Sequence, residues 1–220
     1  MAAFIGYGRK YIYLLPGILF SLLFILRSGF ADQDSFFPTL FDDAMISMSY
    51  AKTLAESGEF VWFDGAPRLQ GFSNLGWTLF LYLLHLASLG PSWTILIVQI
   101  IGVLVLIKIA TTALSLIQVS SINLPCWKSK LSAGAIMLLY PIVFWTLRGM
   151  EVGIISLALL LVLKTIWELD ANEQSMRLRA KLFSFSILGI FIRFDFGIFL
   201  TFLILARIRK GLFQLFQVQV

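Results

Sequence analysis

Three groups of ionisable side chains interrupt an otherwise apolar chain, and their spacing limits what chemistry each can support. Asp42 and Asp43 are adjacent acids at the head of the run Ala44 to Ser57. Arg148 and Glu151 stand three residues apart between two apolar segments, and Arg193 and Asp195 stand two apart near the middle of the apolar stretch Leu182 to Ala206. Neighbours on a helix point about 100° apart because a turn takes ~3.6 residues, so the two acids cannot share one task. One of them can cap the helix, and the pair can be no more than a cap and a solvated neighbour. Arg148 with Glu151 can be a plain interfacial ion pair. Arg193 and Asp195 differ in kind: charges inside a membrane segment are costly and by default indicate function, with a mutually neutralising structural pair as the alternative.

The elements that must hold these residues are membrane helices. Of the 220 residues 59% are hydrophobic and 13% charged, with a mean hydropathy of +0.90. Soluble domains average ~45–50% apolar and ~25% charged residues, so both departures point to a polytopic membrane protein. The formal net charge of +5 sits in Lys and Arg clusters between apolar runs. That is the pattern of membrane orientation, not the one basic face of a nucleic-acid binder. The single cysteine, Cys126, excludes an internal disulfide, and the single histidine, His85, reads as packed or interfacial.

In chain order, Tyr11 to Leu26 reads as the first span, with Arg9 and Lys10 at its cytoplasmic end. The same start could pass for a signal peptide cleaved near Gly29-Phe30-Ala31, but a membrane-embedded continuation favours an uncleaved helix. The polar region from Ser28 to Asn74 would then lie outside the cytoplasm, with Asp42 or Asp43 as N-cap of an interfacial helix whose apolar side carries Ala44, Met45, Met48, Ala51 and Ala55. Asp64-Gly65-Ala66-Pro67 is a turn signal. Trp77 to Leu89 is short for a span and reads as interfacial. Spans follow at Trp93 to Val119, Leu131 to Leu147 (with Pro141 inside) and Val152 to Trp167, and Trp93, Trp127, Trp145 and Trp167 fall near their ends. The last stretch is flanked by Lys181 and by Arg207, Arg209 and Lys210, so two half-helices meeting at Arg193 and Asp195 keep both basic clusters on one side. The expected fold is an all-α polytopic transmembrane bundle of about five or six membrane segments. It is a single domain over residues 1–220, and its outer region over residues 28–91 carries interfacial helices.

The stretch from Asp42 to Trp77 resembles the first outer loop of GT-C glycosyltransferases, in particular the branch similar to bacterial terminal arabinofuranosyltransferases. The residues that carry the resemblance are Asp42-Asp43-Ala44, Ile46, Tyr50-Ala51, Leu54, Gly58, Val61-Trp62, Gly65, Gly71-Phe72-Ser73-Asn74 and Trp77. Downstream, Trp145-Thr146-Leu147-Arg148-Gly149-Met150-Glu151 is similar to the family's W-x-x-S-G-L-E turn, with Arg148 in place of a small residue. Arg193-Phe194-Asp195 is similar to its R-P-[DE] element, with Phe194 in place of proline. The likeness covers the N-terminal part of the family's module, so a larger whole is expected.

What the resemblance implies is an inverting transfer of a sugar from a polyprenyl-phosphate donor to a glycan, lipid or protein acceptor of the cell envelope. The setting would be the outer face of a bacterial inner membrane, with the N-terminus cytoplasmic and no role for nucleic acid. Asp42 is the first candidate for base and Asp43 the second. The partner acid would bind acceptor hydroxyls or hold a divalent cation such as Mg or Mn. Arg193 would face the leaving phosphate with Asp195 orienting it, Arg148 would stand in reserve, and Glu151 would bind sugar hydroxyls. Trp62 and Trp77 are candidates for sugar stacking or interfacial anchoring. Two other classes remain: a non-catalytic membrane binding or assembly component, and a sugar or lipid transporter, for which the repeated halves such a fold would show are not visible.

Overall fold

The computed structural model describes residues 11–32, 35–69, 71–88, 90–119 and 124–217. Arg9, Lys10 and Leu89, invoked above, lie outside them. A 3-10 turn, Ile12–Leu14, leads into α1 (Leu15–Ser28). Two three-residue strands follow, β1 (Phe30–Asp32) and β2 (Ser35–Phe37), paired antiparallel with Ala31 opposite Phe36. The remaining elements are helical: α2 (Asp42–Ser57), α3 (Leu75–Leu86), α4 (Pro91–Val119), α5 (Cys126–Ile136), α6 (Tyr140–Leu147), α7 (Val152–Ala171), α8 (Met176–Ile192) and α9 (Phe196–Gln217). The all-α class holds, and the small hairpin is its one departure among the described residues.

Burial is arranged as a bilayer requires. Polar side chains such as Ser21, Thr94, Gln99, Thr112, Ser129 and Thr165 are buried between helices. Large apolar ones such as Leu22, Leu23, Leu104, Phe183, Ile198 and Phe202 stand exposed. Helix contacts in lipid favour small and hydrogen-bonding residues, while apolar side chains lose nothing by facing lipid tails. Pro91–Gln118 and Val152–Ala171 are long and apolar enough to cross a membrane, and Cys126–Ile136 with Tyr140–Leu147 does so if the bent pair counts as one span. The chain is an integral membrane protein. By this measure the described residues contain two or three spans, against the expected five or six membrane segments. Ile12–Ser28, Leu75–Leu86 and Phe196–Arg207 are apolar but shorter.

Two expected helices change shape. The span expected over Leu131 to Leu147 is two helices bent by 47°. Pro141 explains the break, because proline has no N–H to donate and fits the first turn of a helix, where α6 places it. The last stretch is two helices meeting at Arg193 to Asp195, as expected, but they are longer than half-helices. Glu151, just before α7, pairs with Arg193, and Asp170, at the far end of α7, pairs with Arg207. The hairpin of α8 and α9 therefore lies along the length of α7, and its break sits at one end of the bundle instead of half-way along it.

Several contacts define the two ends. At one, the Arg148 guanidinium donates to Ser28 at the end of α1, and the Phe41 N–H donates to the Arg148 carbonyl at 2.9 Å. At the other, Gly134 of α5 packs on Tyr13, and Asp170 meets Arg207. α2 and α3 pack on each other across the first end, burying Ala44, Met48, Ala51, Trp77 and Leu81. Met45, expected on the buried side of α2, is 40% exposed, while Ser47, Tyr50 and Thr53 are buried. The buried stripe is rotated toward polar residues that hold the neighbouring loop.

α3 is seated on the break in the last hairpin. A Cβ on Gly76 would lie 2.6 Å from the Phe191 carbonyl oxygen and 2.9 Å from the Ile192 Cα. Backbone cannot yield as a side-chain tip can, so α3 and α8 touch only because this residue is glycine. Gly76→Ala is expected to cost about 1–3 kcal/mol by overpacking, read as earlier thermal unfolding in detergent. An unchanged melt would mean that the helices are not held this close.

Candidate functional site

The site is assembled from three segments that are far apart in sequence. The first is the start of α2. Phe41, and neither acid, occupies the N-cap position in extended conformation, and no side chain caps the helix. The expectation that Asp42 or Asp43 caps it is therefore corrected: both are in the first helical turn and exposed. There their charge still opposes the positive end of the helix dipole. Asp43 is four residues before Ser47 and seven before Tyr50, so these three share a face, whereas Asp42 lies in line with exposed Met45.

The second segment is the turn between α6 and α7. Gly149 has φ +87°, and a Cβ there would come within 2.9 Å of the Leu40 side chain. Its carbonyl accepts from the Trp77 indole N–H at 2.9 Å. Trp77 is buried by this contact and is therefore neither a sugar platform nor an interfacial anchor, whereas Trp62 is 51% exposed. The third segment is Arg193-Phe194-Asp195, which is extended at Arg193 (φ −153°, ψ 124°) between α8 and α9.

Glu151 joins the segments. Its side chain is 1% exposed, and it accepts from Arg193 Nη1 at 2.8 Å through one oxygen and from Asn74 Nδ2 at 2.8 Å through the other. Arg193 Nε donates to Asp195 Oδ2 at 2.9 Å, and that carboxylate is 59% exposed. Asn74 Oδ1 in turn accepts from the hydroxyls of Ser47 at 3.1 Å and Thr78 at 3.2 Å. A chain of polar contacts thus runs from α2 through the Asn74 loop to the α6–α7 turn and the α8–α9 break. Low local dielectric strengthens each link and makes an unpaired member costly.

The expected pair of Arg148 with Glu151 does not form. Arg148 Nη1 instead donates to the Ser28 carbonyl at 3.0 Å, the Thr39 carbonyl at 3.3 Å and the Thr39 hydroxyl at 2.6 Å, and its buried Nε has no hydrogen-bond partner among the described residues. It ties the segment before α2 to the end of α1. Arg148→Met is expected to lose about 1.5–3 kcal/mol, the range for hydrogen bonds to a charged group, and to make residues 29–40 more sensitive to protease. Resistance equal to that of the parent protein would show that the segment is held by other means.

Arg193 and Asp195, with Glu151, line one end of a cavity of about 470 Å³ whose other walls include Ile155, Phe196 and Phe199. On the opposite side of the break, Phe194 lines a second hollow with Phe60, Arg68 and Phe72. The metal option finds no ligand set: among the described residues no three or more of His, Cys, Asp and Glu gather as a metal site requires. Asp42 and Asp43 diverge on the helix, so no step is assigned to a cation. His85 is half-buried, with Nε2 3.0 Å from the Met48 sulfur.

Sequence reasoning did not assign Asn74, Ser47 and Thr78 to the site. Their signal was a polar residue directly before the apolar run of α3, at the end of a Gly-rich tract. No protein-family model, curated protein or solved structure matches this chain.

Proposed function

We propose that the protein is a glycosyltransferase that moves a sugar, with inversion, from a polyprenyl-phosphate donor to a cell-envelope glycan, lipid or protein. The observation that carries the reading is the convergence of Glu151, Arg193 and Asp195 on one end of the bundle. Glu151 connects them through Asn74 to Ser47, one turn into α2 from Asp43, and all three line a cavity with apolar side chains. A donor with a phosphate head and an isoprenoid tail asks for both halves of that surface.

In this reading Asp43 is the base, because its helical face also carries Ser47, which reaches the Glu151 network through Asn74. The acceptor hydroxyl gives its proton to the Asp43 carboxylate as its oxygen bonds to the anomeric carbon. The bond from that carbon to the phosphate oxygen breaks, and polyprenyl phosphate leaves with the electron pair. Arg193 faces the charge that develops there. A guanidinium between two carboxylates has little surplus charge, so exposed Asp195 yields Nε to the phosphate while buried Glu151 keeps Nη1 in place. Asp42 binds acceptor hydroxyls.

The distribution of charge supports an orientation. Lys128, Lys130, Arg177, Arg179, Lys181 and Arg207 gather toward the end away from Glu151. By the positive-inside rule this distribution supports a cytoplasmic place for that end and an outer one for the site, in keeping with the proposed bacterial inner membrane. The test is transfer by purified protein in liposomes supplied with polyprenyl-phosphate sugars and, separately, nucleotide sugars. Product from the lipid-linked donors alone is expected. Failure with every lipid-linked donor would leave a non-catalytic membrane component.

A further inference from the structure

We propose that the hollow lined by Phe60, Arg68, Phe72 and Phe194 binds an anionic saccharide. It rests on the transferase reading only in making that saccharide the acceptor. The hollow measures about 310 Å³, at the small end of the ~300–1,000 Å³ spanned by ligand sites, which suits one terminal sugar residue more than a long glycan.

Its position comes from two short connections whose side chains divide between the buried network and the hollow. In Ser73-Asn74-Leu75 the middle residue turns inward to Glu151 while its two neighbours line the hollow. In Arg193-Phe194-Asp195 the outer two carry the ion network and the middle one lines the hollow. The buried network and the hollow are therefore two sides of one wall. α2 adds Tyr50, which shares its face with Asp43 and abuts the aromatic rings of the hollow.

The lining is fixed before any ligand arrives. Tyr50, 4% exposed, holds Phe72 edge-on at 4.9 Å and Phe60 at 5.9 Å, and Phe60 lies 4.9 Å from Phe72. The Tyr50 hydroxyl donates to the Leu69 carbonyl at 2.6 Å, which fastens the segment that carries Arg68. Aromatic faces are electron-rich and accept the slightly positive C–H bonds of a sugar ring. Arg68 is exposed and has no hydrogen bond or ion pair among the described residues. A free guanidinium offers a rigid fork of donors suited to a carboxylate or phosphate. The rings set the class of ligand, and Arg68 sets its charge.

A lipid surface is the competing occupant, because Trp62 and Phe63 stand exposed nearby. Those side chains project outward. Phe60 and Phe72 are half-buried walls of a concave site, which suits a sugar ring better than a bilayer.

The experiment measures binding without donor, using the full chain in detergent micelles, by titration calorimetry with tetragalacturonate and with neutral maltotetraose. The expected result is at least tenfold tighter binding of the acidic tetrasaccharide, parity in Arg68→Gln, and weaker binding of both in Phe72→Ala. Equal binding of the two sugars, binding of neither, or a preference that survives Arg68→Gln would overturn the proposal. So would equally effective competition by glycerol 1-phosphate, which would mark a lipid-headgroup site. Charge-selective binding in a protein that transfers nothing would keep this site and remove the transferase reading. Transfer without charge preference would do the reverse.

Discussion

Asp43→Asn is expected to lower sugar transfer by about 10²–10⁴-fold, the usual contribution of a general base, with little change in thermal stability. Asparagine keeps the shape of the side chain but cannot accept the hydroxyl proton at neutral pH. Stability should hold because Asp43 is exposed and makes no capping bond, so the helix loses only a charge favourable to its dipole, worth about 0.3–1 kcal/mol. Asp42→Asn is expected to act on acceptor KM more than on kcat, because its side of α2 runs toward exposed Met45 and not toward Ser47. The check is a donor-saturated kcat and an acceptor KM for both variants in the liposome assay. If Asp42→Asn abolished turnover and Asp43→Asn did not, the helical-face assignment would be reversed. If neither changed kcat, the base would lie elsewhere.

Asp43 ranks before Asp42 in the proposed mechanism, whereas the sequence, read with the resemblance, put Asp42 first. A period of 3.6 residues shows that neighbours diverge, but not which one faces the rest of the site. That depends on where α3 and the Asn74 loop dock. Local pattern did locate α2, α4 and α7 to within a few residues, because composition and helical period act over one segment at a time. It also marked the break at Arg193 to Asp195, since two charges cannot remain in the middle of an apolar helix. The partner of Glu151 was out of reach. Arg148 is three residues away and Arg193 is 42, and only the antiparallel course of α7 and α8 brings the distant one close. The backbone carbonyls of Ser28 and Thr39 that take up Arg148 instead carry no signature of their own in a sequence.

Arg193→Met is expected to be the most destabilising single change at the site, by about 3 kcal/mol, the lower end of the range for orphaning one member of a buried ion pair. The lower end applies because Arg193 is itself 35% exposed, so water partly replaces what is lost. Glu151 has no such recourse: at 1% exposure its charge would be left with only the Asn74 amide at 2.8 Å. Asp195→Asn, by contrast, touches a carboxylate that is 59% exposed and should cost at most about 1 kcal/mol. The double variant Arg193→Met with Glu151→Leu removes both charges and is expected to recover much of the loss, since well-packed apolar replacements of buried pairs are often neutral. Unfolding in mixed micelles of the two single variants and the double variant gives the coupling directly. Strictly additive losses would mean that Glu151 and Arg193 do not hold each other. Arg193→Lys separates structure from function: it keeps the charge but not the planar fork that reaches Glu151 and Asp195 together. Its fold should therefore survive better than that of Arg193→Met while transfer falls with it, because a phosphate can be faced only by a guanidinium that Glu151 keeps in position.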